Sequence, residues 1–453
     1  MAGIPSTTAP PNPSPNPSSN PLAGSRATRG SGSHPTYVAP LAVLTTLFFM
    51  WGGLTSLNDV LIPHLKGIFS LSYFEAMLVQ FCFFGAYGLM SIPAGRIVKR
   101  IGFKKGIMVG LAGAALGCLM FYPAAAARSY GVFLFAFFVL ATGIVILQVA
   151  ANPFVAVLGK PETASSRLTL TQAFNSLATF VFPRFIGPLI LAVAGLSAAE
   201  LALLTPAARQ AQEAHAVQLP YVALAGLLAL LAVIVARSKL PKIDTAGTAD
   251  PGSAGALPDR GSAWRYRHLV FGAGAIFVYV GAEVAIGSLL VNYFKESYTL
   301  GLPENEGTRL MPWYWLCAMI GRFIGSLFTL RKFKPGKVLA AHAVVASLLV
   351  VASTFTTGWT AVVTIIAVGL MNSVMFPTIF TLAIEGLGRH TEQGSGILCA
   401  AIVGGAFIPA LQGVFADKAG LHISFLLPAV CYLYIAWYGT RGHATDATKP
   451  LAN

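Results

Sequence analysis

Acidic side chains are scarce in this sequence: Asp and Glu number 16 in 453 residues, and all charged residues together make up 10%. Soluble domains carry roughly a quarter of their residues as charges, so the shortage argues against an aqueous surface over most of the chain. Cysteine is scarce as well. The five copies, Cys82, Cys118, Cys317, Cys399 and Cys431, lie in apolar runs with no CxxC spacing. That excludes a disulfide framework and leaves them as small core residues. There is no HExxH motif, no nucleophile elbow and no Cys/His cluster, so no metal or cofactor is expected and the chain does not read as an enzyme. A net charge of +14 invites a nucleic-acid partner. The basic residues, however, fall in short segments between apolar runs without interleaved aromatics, and no nucleic acid is expected.

What is abundant is apolar surface. Hydrophobic residues make up 55% of the chain and mean hydropathy is +0.70, which predicts an all-α polytopic protein with the lipid bilayer as its partner. Residues 1–36, rich in Pro, Ser, Asn and Gly, cannot bury enough surface to fold and read as a disordered cytoplasmic tail without a cleavable signal. Twelve candidate spans follow at about 38–62, 73–97, 105–124, 131–158, 166–194, 217–237, 266–294, 308–331, 336–356, 359–384, 392–416 and 422–439. They form two six-helix halves, 37–237 and 266–440, joined by a polar linker at 238–265 and ending in a short tail at 441–453. Lys and Arg divide unevenly between alternate loops, 18 against the six at Lys66, Arg128, Arg209, Lys295, Arg309 and Lys418. The positive-inside rule puts the richer set, and with it both termini, in the cytoplasm, so the inner (plasma) membrane is the expected location.

Unusual residues recur at nearly one offset. Asp59 and Glu283, Gln148 and Asn372, and Pro153 and Pro377 are each 224 residues apart. The Gly95-Arg96 and Gly321-Arg322 pairs, and Pro183 and Pro409, are 226 apart. This predicts parallel six-helix repeats about an axis along the membrane normal, with a central site between them.

The stretches FFMWGGLTSLNDVLIPHL, IPAGRIVKRIGFKKGIMVGL, LQVAANPFVAVLG with SRLTLTQAFNSL, YVGAEVAIGSLLVNY, IGRFIGSLFTLRKFKPGKVLAA and FPTIFTLAIEGLG resemble the major facilitator superfamily, in its fucose permease and glucose/galactose transporter branch. The resemblance covers essentially all twelve spans, and AANPFVAVLG with SRLTLTQAFNS is specific to the branch. It implies a secondary transporter that imports a monosaccharide, commonly with proton coupling. Two departures stand out. Lys99 replaces the acidic residue usual in the loop after span 2, and Gln148 stands where resemblance to the fucose permeases predicts a glutamate. The second favours glucose or galactose over fucose and removes one proton carrier.

A carboxylate in hydrocarbon costs about 2.5–3.5 kcal/mol, so Asp59 and Glu283 should face a wet interior, where they are candidates for proton coupling and substrate contact. Arg184 is an alternative structural partner for either acid. Pyranose hydroxyls both donate and accept, which suits amides, and Asn58, Gln148, Gln172, Asn175 and Asn372 complete the expected substrate set. Asn152, beside Pro153, is expected to satisfy backbone freed by the kink. Prolines 153, 183, 377 and 409 should bend their helices. Arg96, Arg322 and Glu385 are the expected gate, closing the cytoplasmic side by ion pairing. A monomer is expected. An exporter of drugs or metabolites is the alternative within the class, and a multipass enzyme or sensor the alternative outside it.

Overall fold

The computed structural model describes residues 37–69, 73–127, 129–185, 204–205, 208, 218–241 and 257–445, apart from the side chains of residues 58–77, 80, 304 and 305. The tail at 1–36, most of the linker and the second part of span 5 lie outside the described residues.

A polar backbone that carries apolar side chains and must satisfy its own hydrogen bonds forms helices. Twelve long ones appear among the described residues. In the first half these are α1 (Val38–Phe69), α2 (Tyr73–Ile101), α3 (Phe103–Ala127), α4 (Tyr130–Val157), α5 (Ala164–Phe185) and α6 (Gln218–Arg237). In the second half α7 is Arg267–Lys295. Helix α8 is Glu304–Ile324, prolonged through a π-helical turn at Gly325–Thr329 to Leu330–Lys332, and α9 is Pro335–Phe355. The last three are interrupted: α10 is Gly358–Asn372 and Met375–Ile384, α11 is Thr391–Ala400 and Gly404–Ala419, and α12 is Leu421–Ser424 and Leu426–Trp437.

Eleven of the twelve are long and apolar enough to cross a membrane, and α5 is the exception. Its first turns carry Ser165, Ser166, Thr169, Thr171, Gln172 and Ser176, all buried. Its polarity is therefore turned into the protein rather than towards lipid. Large apolar side chains such as Phe81, Leu116, Phe135, Phe328 and Leu348 point outward, as a lipid-facing surface requires.

The repeat read from the sequence is a repeat of packing. In the first half α1 packs on α5, α2 on α4, and α3 on both α4 and α6; in the second α7 packs on α11, α8 on α10, and α9 on both α10 and α12. Gly143 shows how close the helices come: a Cβ there would lie 2.1 Å from the backbone nitrogen of Ala114. The halves meet along two matching seams, α2 and α4 against α11, and α8 and α10 against α5. Both seams lie at the end of the bundle where the basic loops at 99–105 and 331–337 emerge, here called the basic end.

Part of the linker is folded. Asp259 pairs with Arg389 and accepts from the His390 ring at 2.8 Å. The Ala263 amide donates to Gln393 at 3.3 Å, and the Tyr266 hydroxyl donates to the Pro258 carbonyl at 3.1 Å. Residues 257–266 are thus a bracket on the α10–α11 connection, within and just after the stretch read from the sequence as a polar linker.

Candidate functional site

Two amide–tyrosine pairs occupy matching places in the repeat. Gln148, buried on α4, donates from Nε2 to the Tyr87 hydroxyl of α2 at 2.6 Å. Asn372, buried at the break of α10, donates from Nδ2 to the Tyr314 hydroxyl of α8 at 2.8 Å. The amides are 224 residues apart and the tyrosines 227, so one interaction is made twice, once per half. The sequence reading missed both tyrosines, although their near-226 offset marks them. A hydroxyl held against an amide fixes which way the amide faces, leaving its remaining donor and acceptor in set directions.

Among the described residues, a buried ion pair lies in the second half. Glu283 on α7 lies 3.8 Å from Arg322 on α8, with side chains 13% and 14% exposed. Arg322 also donates to the Ser176 hydroxyl of α5 and, from Nε, to the Ser373 carbonyl at 3.4 Å. That carbonyl is the one Pro377 cannot bond, because proline has no N–H to offer the residue four positions earlier. The Tyr279 hydroxyl donates to the Asn372 carbonyl at 3.1 Å, and that of Tyr314 to the Glu283 carbonyl at 3.4 Å. A buried charge without a counter-ion is strongly destabilising, and here Arg322 supplies it. Arg184 is exposed and does not pair with Glu283.

The expected gate residues are not brought together. Arg322 pairs with Glu283 and not with Glu385, and Arg96 is exposed near the end of α2. Applied to α8, the tyrosine offset of 227 makes Gly95, not Arg96, the counterpart of Arg322. Glu385 caps α10 at the basic end, where its carbonyl accepts from the His268 ring at 3.0 Å. Packing raises its carboxyl pKa, and His443 nearby opposes the shift.

Of the remaining amides, Asn175 donates to the Phe48 carbonyl of α1 at 2.8 Å, against Gly52, where a Cβ would collide with it. Gln172 is buried one turn earlier on α5. Asn58 and Asp59 lie within α1, and their side chains are outside the described residues. Asn152 does not serve the kink at Pro153: its amide atoms have no hydrogen-bond partner among the described residues. The carbonyl freed by Pro153, that of Val149, accepts instead from Ser395 of α11 at 2.9 Å.

Two six-helix halves with a shared polar interior, sealed at one end and lipid-facing outside, define a polytopic membrane transporter. The Major Facilitator Superfamily model matches residues 43–401. A glucose/galactose transporter of Brucella abortus is 53% identical over 414 residues, 91% of this chain and 96% of the relative. The L-fucose-proton symporter of Escherichia coli is 35% identical over 417 residues, 90% and 94% of the two chains. The crystal structure of a fucose transporter in an outward conformation superposes with a TM-score of 0.80 at 32% identity, covering 90% of this chain and 99% of the other. The chain belongs to the Major Facilitator Superfamily and is a transporter, not an enzyme.

Proposed function

We propose that the chain imports a monosaccharide together with protons, taking glucose or galactose in preference to fucose, at a site between the halves that opens alternately to each side. The observation that carries this reading is the pair of oriented amides, Gln148 held by Tyr87 and Asn372 held by Tyr314. Fixed amides suit hydroxyl-rich neutral ligands, because a sugar epimer that leaves one of them unpaired loses the binding that the right epimer gains. The preference for glucose or galactose is supported by the 53% identical relative of that name, against 35% for the fucose symporter. Proton coupling is supported by the symporter name of the second relative and by the two intramembrane acids.

Asp59 and Glu283 are the proposed proton carriers. Protonating Glu283 leaves Arg322 without its counter-ion, so that step must accompany movement of Arg322 away from the pair. Asp59 is therefore the leading carrier. Asn58, Gln172 and Asn175 complete the substrate set, the last with its Nδ2 holding α1. Arg322, reaching Ser176 across the halves, acts in gating, with Arg96 and Glu385 at the mouth of the basic end. The transporter is proposed to work as a monomer in the inner membrane with both termini cytoplasmic, as the loop charges indicate.

Uptake of labelled hexoses into energised vesicles, with and without a protonophore, tests the reading. Concentrative uptake of glucose or galactose that the protonophore abolishes is expected. Failure to take up any neutral hexose would remove the sugar assignment.

A further inference from the structure

The basic end is closed by hydroxyls where the sequence suggested charges. Ser395, in the first turns of α11, donates to the Val149 carbonyl of α4 at 2.9 Å. Proline at 153 deprives that carbonyl of its helical partner, so it is open to a donor from outside the helix. Ser166, in the first turn of α5, donates to the Ser326 carbonyl of α8 at 2.6 Å. Ser326 lies in the π-helical turn Gly325–Thr329, where the hydrogen-bond ladder changes register. Helices α5 and α11 are equivalents in the two halves, so each half sends a serine from the start of its fifth helix to an irregular helix of the other. Beside the first bond, Gly95 of α2 meets α11 backbone to backbone, its Cβ position 2.9 Å from the Glu392 carbonyl. Beside the second, Ser165 and Thr381 share a hydrogen bond of 2.6 Å.

The same seams hold polar atoms with no protein partner among the described residues: the Ser91 hydroxyl and the Asn152 amide along one, the Thr169 and Thr378 hydroxyls along the other. All four residues are fully buried. Such groups are costly in a permanently closed interface. They make sense on a surface that is closed in one state and wetted in another.

We infer that Ser395 and Ser166 are paired latches of the inner gate. Each closes a seam by bonding a backbone carbonyl at an irregular point of a helix in the opposite half, and the unpartnered Ser91, Asn152, Thr169 and Thr378 line the exit path once the latches release. The inference rests on the alternating-access reading above but not on the identity of the sugar.

Cys399 is a built-in reporter. It is fully buried one turn from Ser395. The full-length protein in inside-out vesicles, without sugar, is exposed to a membrane-impermeant maleimide, and modification of each cysteine is read from its peptide mass. Cys399 of the unaltered chain is expected to react slowly. Ser395→Ala, and independently Ser166→Ala on the other seam, should speed it about three- to tenfold, the loss of one hydrogen bond. Cys118, buried inside the first half, should not change. Ser166→Ala is the stricter arm, because it leaves the surroundings of Cys399 intact. An unchanged Cys399 rate in Ser166→Ala, or a parallel rise at Cys118 in both variants, overturns the latch. Absence of hexose uptake alongside the expected labelling would refute the sugar reading and leave the latch standing.

Discussion

Arg322 shows how finely a single position is decided. Read as the repeat of Arg96 it belongs to a basic loop, yet one residue of register on a helix turns a side chain by about 100°, and Arg322 points inward to Glu283 and Ser176. Replacing Arg322 with Ala should destabilise the purified protein by about 3 kcal/mol, because it leaves the Glu283 carboxylate buried alone. The double change Glu283→Gln with Arg322→Gln should recover much of that loss, as thermal unfolding in detergent would record; equal losses in the single and double variants would contradict the pairing. The tyrosines give a second test. Tyr87→Phe removes the group that orients Gln148, and sugar affinity should fall about tenfold, near 1.4 kcal/mol, while maximal uptake of saturating sugar is retained. These roles are hard to read in a sequence. Asp59 and Glu283 stand out because acids are rare in apolar runs, whereas Tyr87, Tyr314, Ser166 and Ser395 are residue types found throughout such helices.

At the scale of the element, length and hydropathy placed the helices well, α5 among them, while the inward turn of its polar residues is seen only in the structure. Over its described residues helix α5 falls short of a spanning helix by composition, and the groups it offers to the other half are the hydroxyls of Ser165, Ser166 and Ser176. The prolines stood out in the sequence, but not the use made of the carbonyls they release: Val149 receives Ser395 and Ser373 receives Arg322. Pro409 lies downstream of the break in α11, which falls between Ala400 and Gly404. Pro153→Ala would restore an N–H able to bond the Val149 carbonyl within α4. In that background Ser395→Ala should change Cys399 reactivity much less than in the parent. Full additivity of the two changes would separate the kink from the latch.

For the whole molecule, the offsets of 224 and 226 were legible before any coordinates, and they reappear as one packing pattern made twice. Which end is closed could not be read, because that depends on serine–carbonyl and glycine contacts between residues more than a hundred positions apart. Closure at the basic end, on the alternating-access reading proposed above, leaves sugar to load from the side opposite the basic loops. Asp59 is then the group whose charge should couple loading to return. Asp59→Asn should abolish concentrative uptake while sparing counterflow, since exchange between loaded states needs no net proton release; a variant that still accumulates sugar would remove Asp59 from the coupling step. The most direct measurement is the external pH of a weakly buffered, de-energised cell suspension making this protein when glucose or galactose is added. Proton symport predicts prompt alkalinisation that a protonophore abolishes, and sugar entry with no change in pH would contradict it.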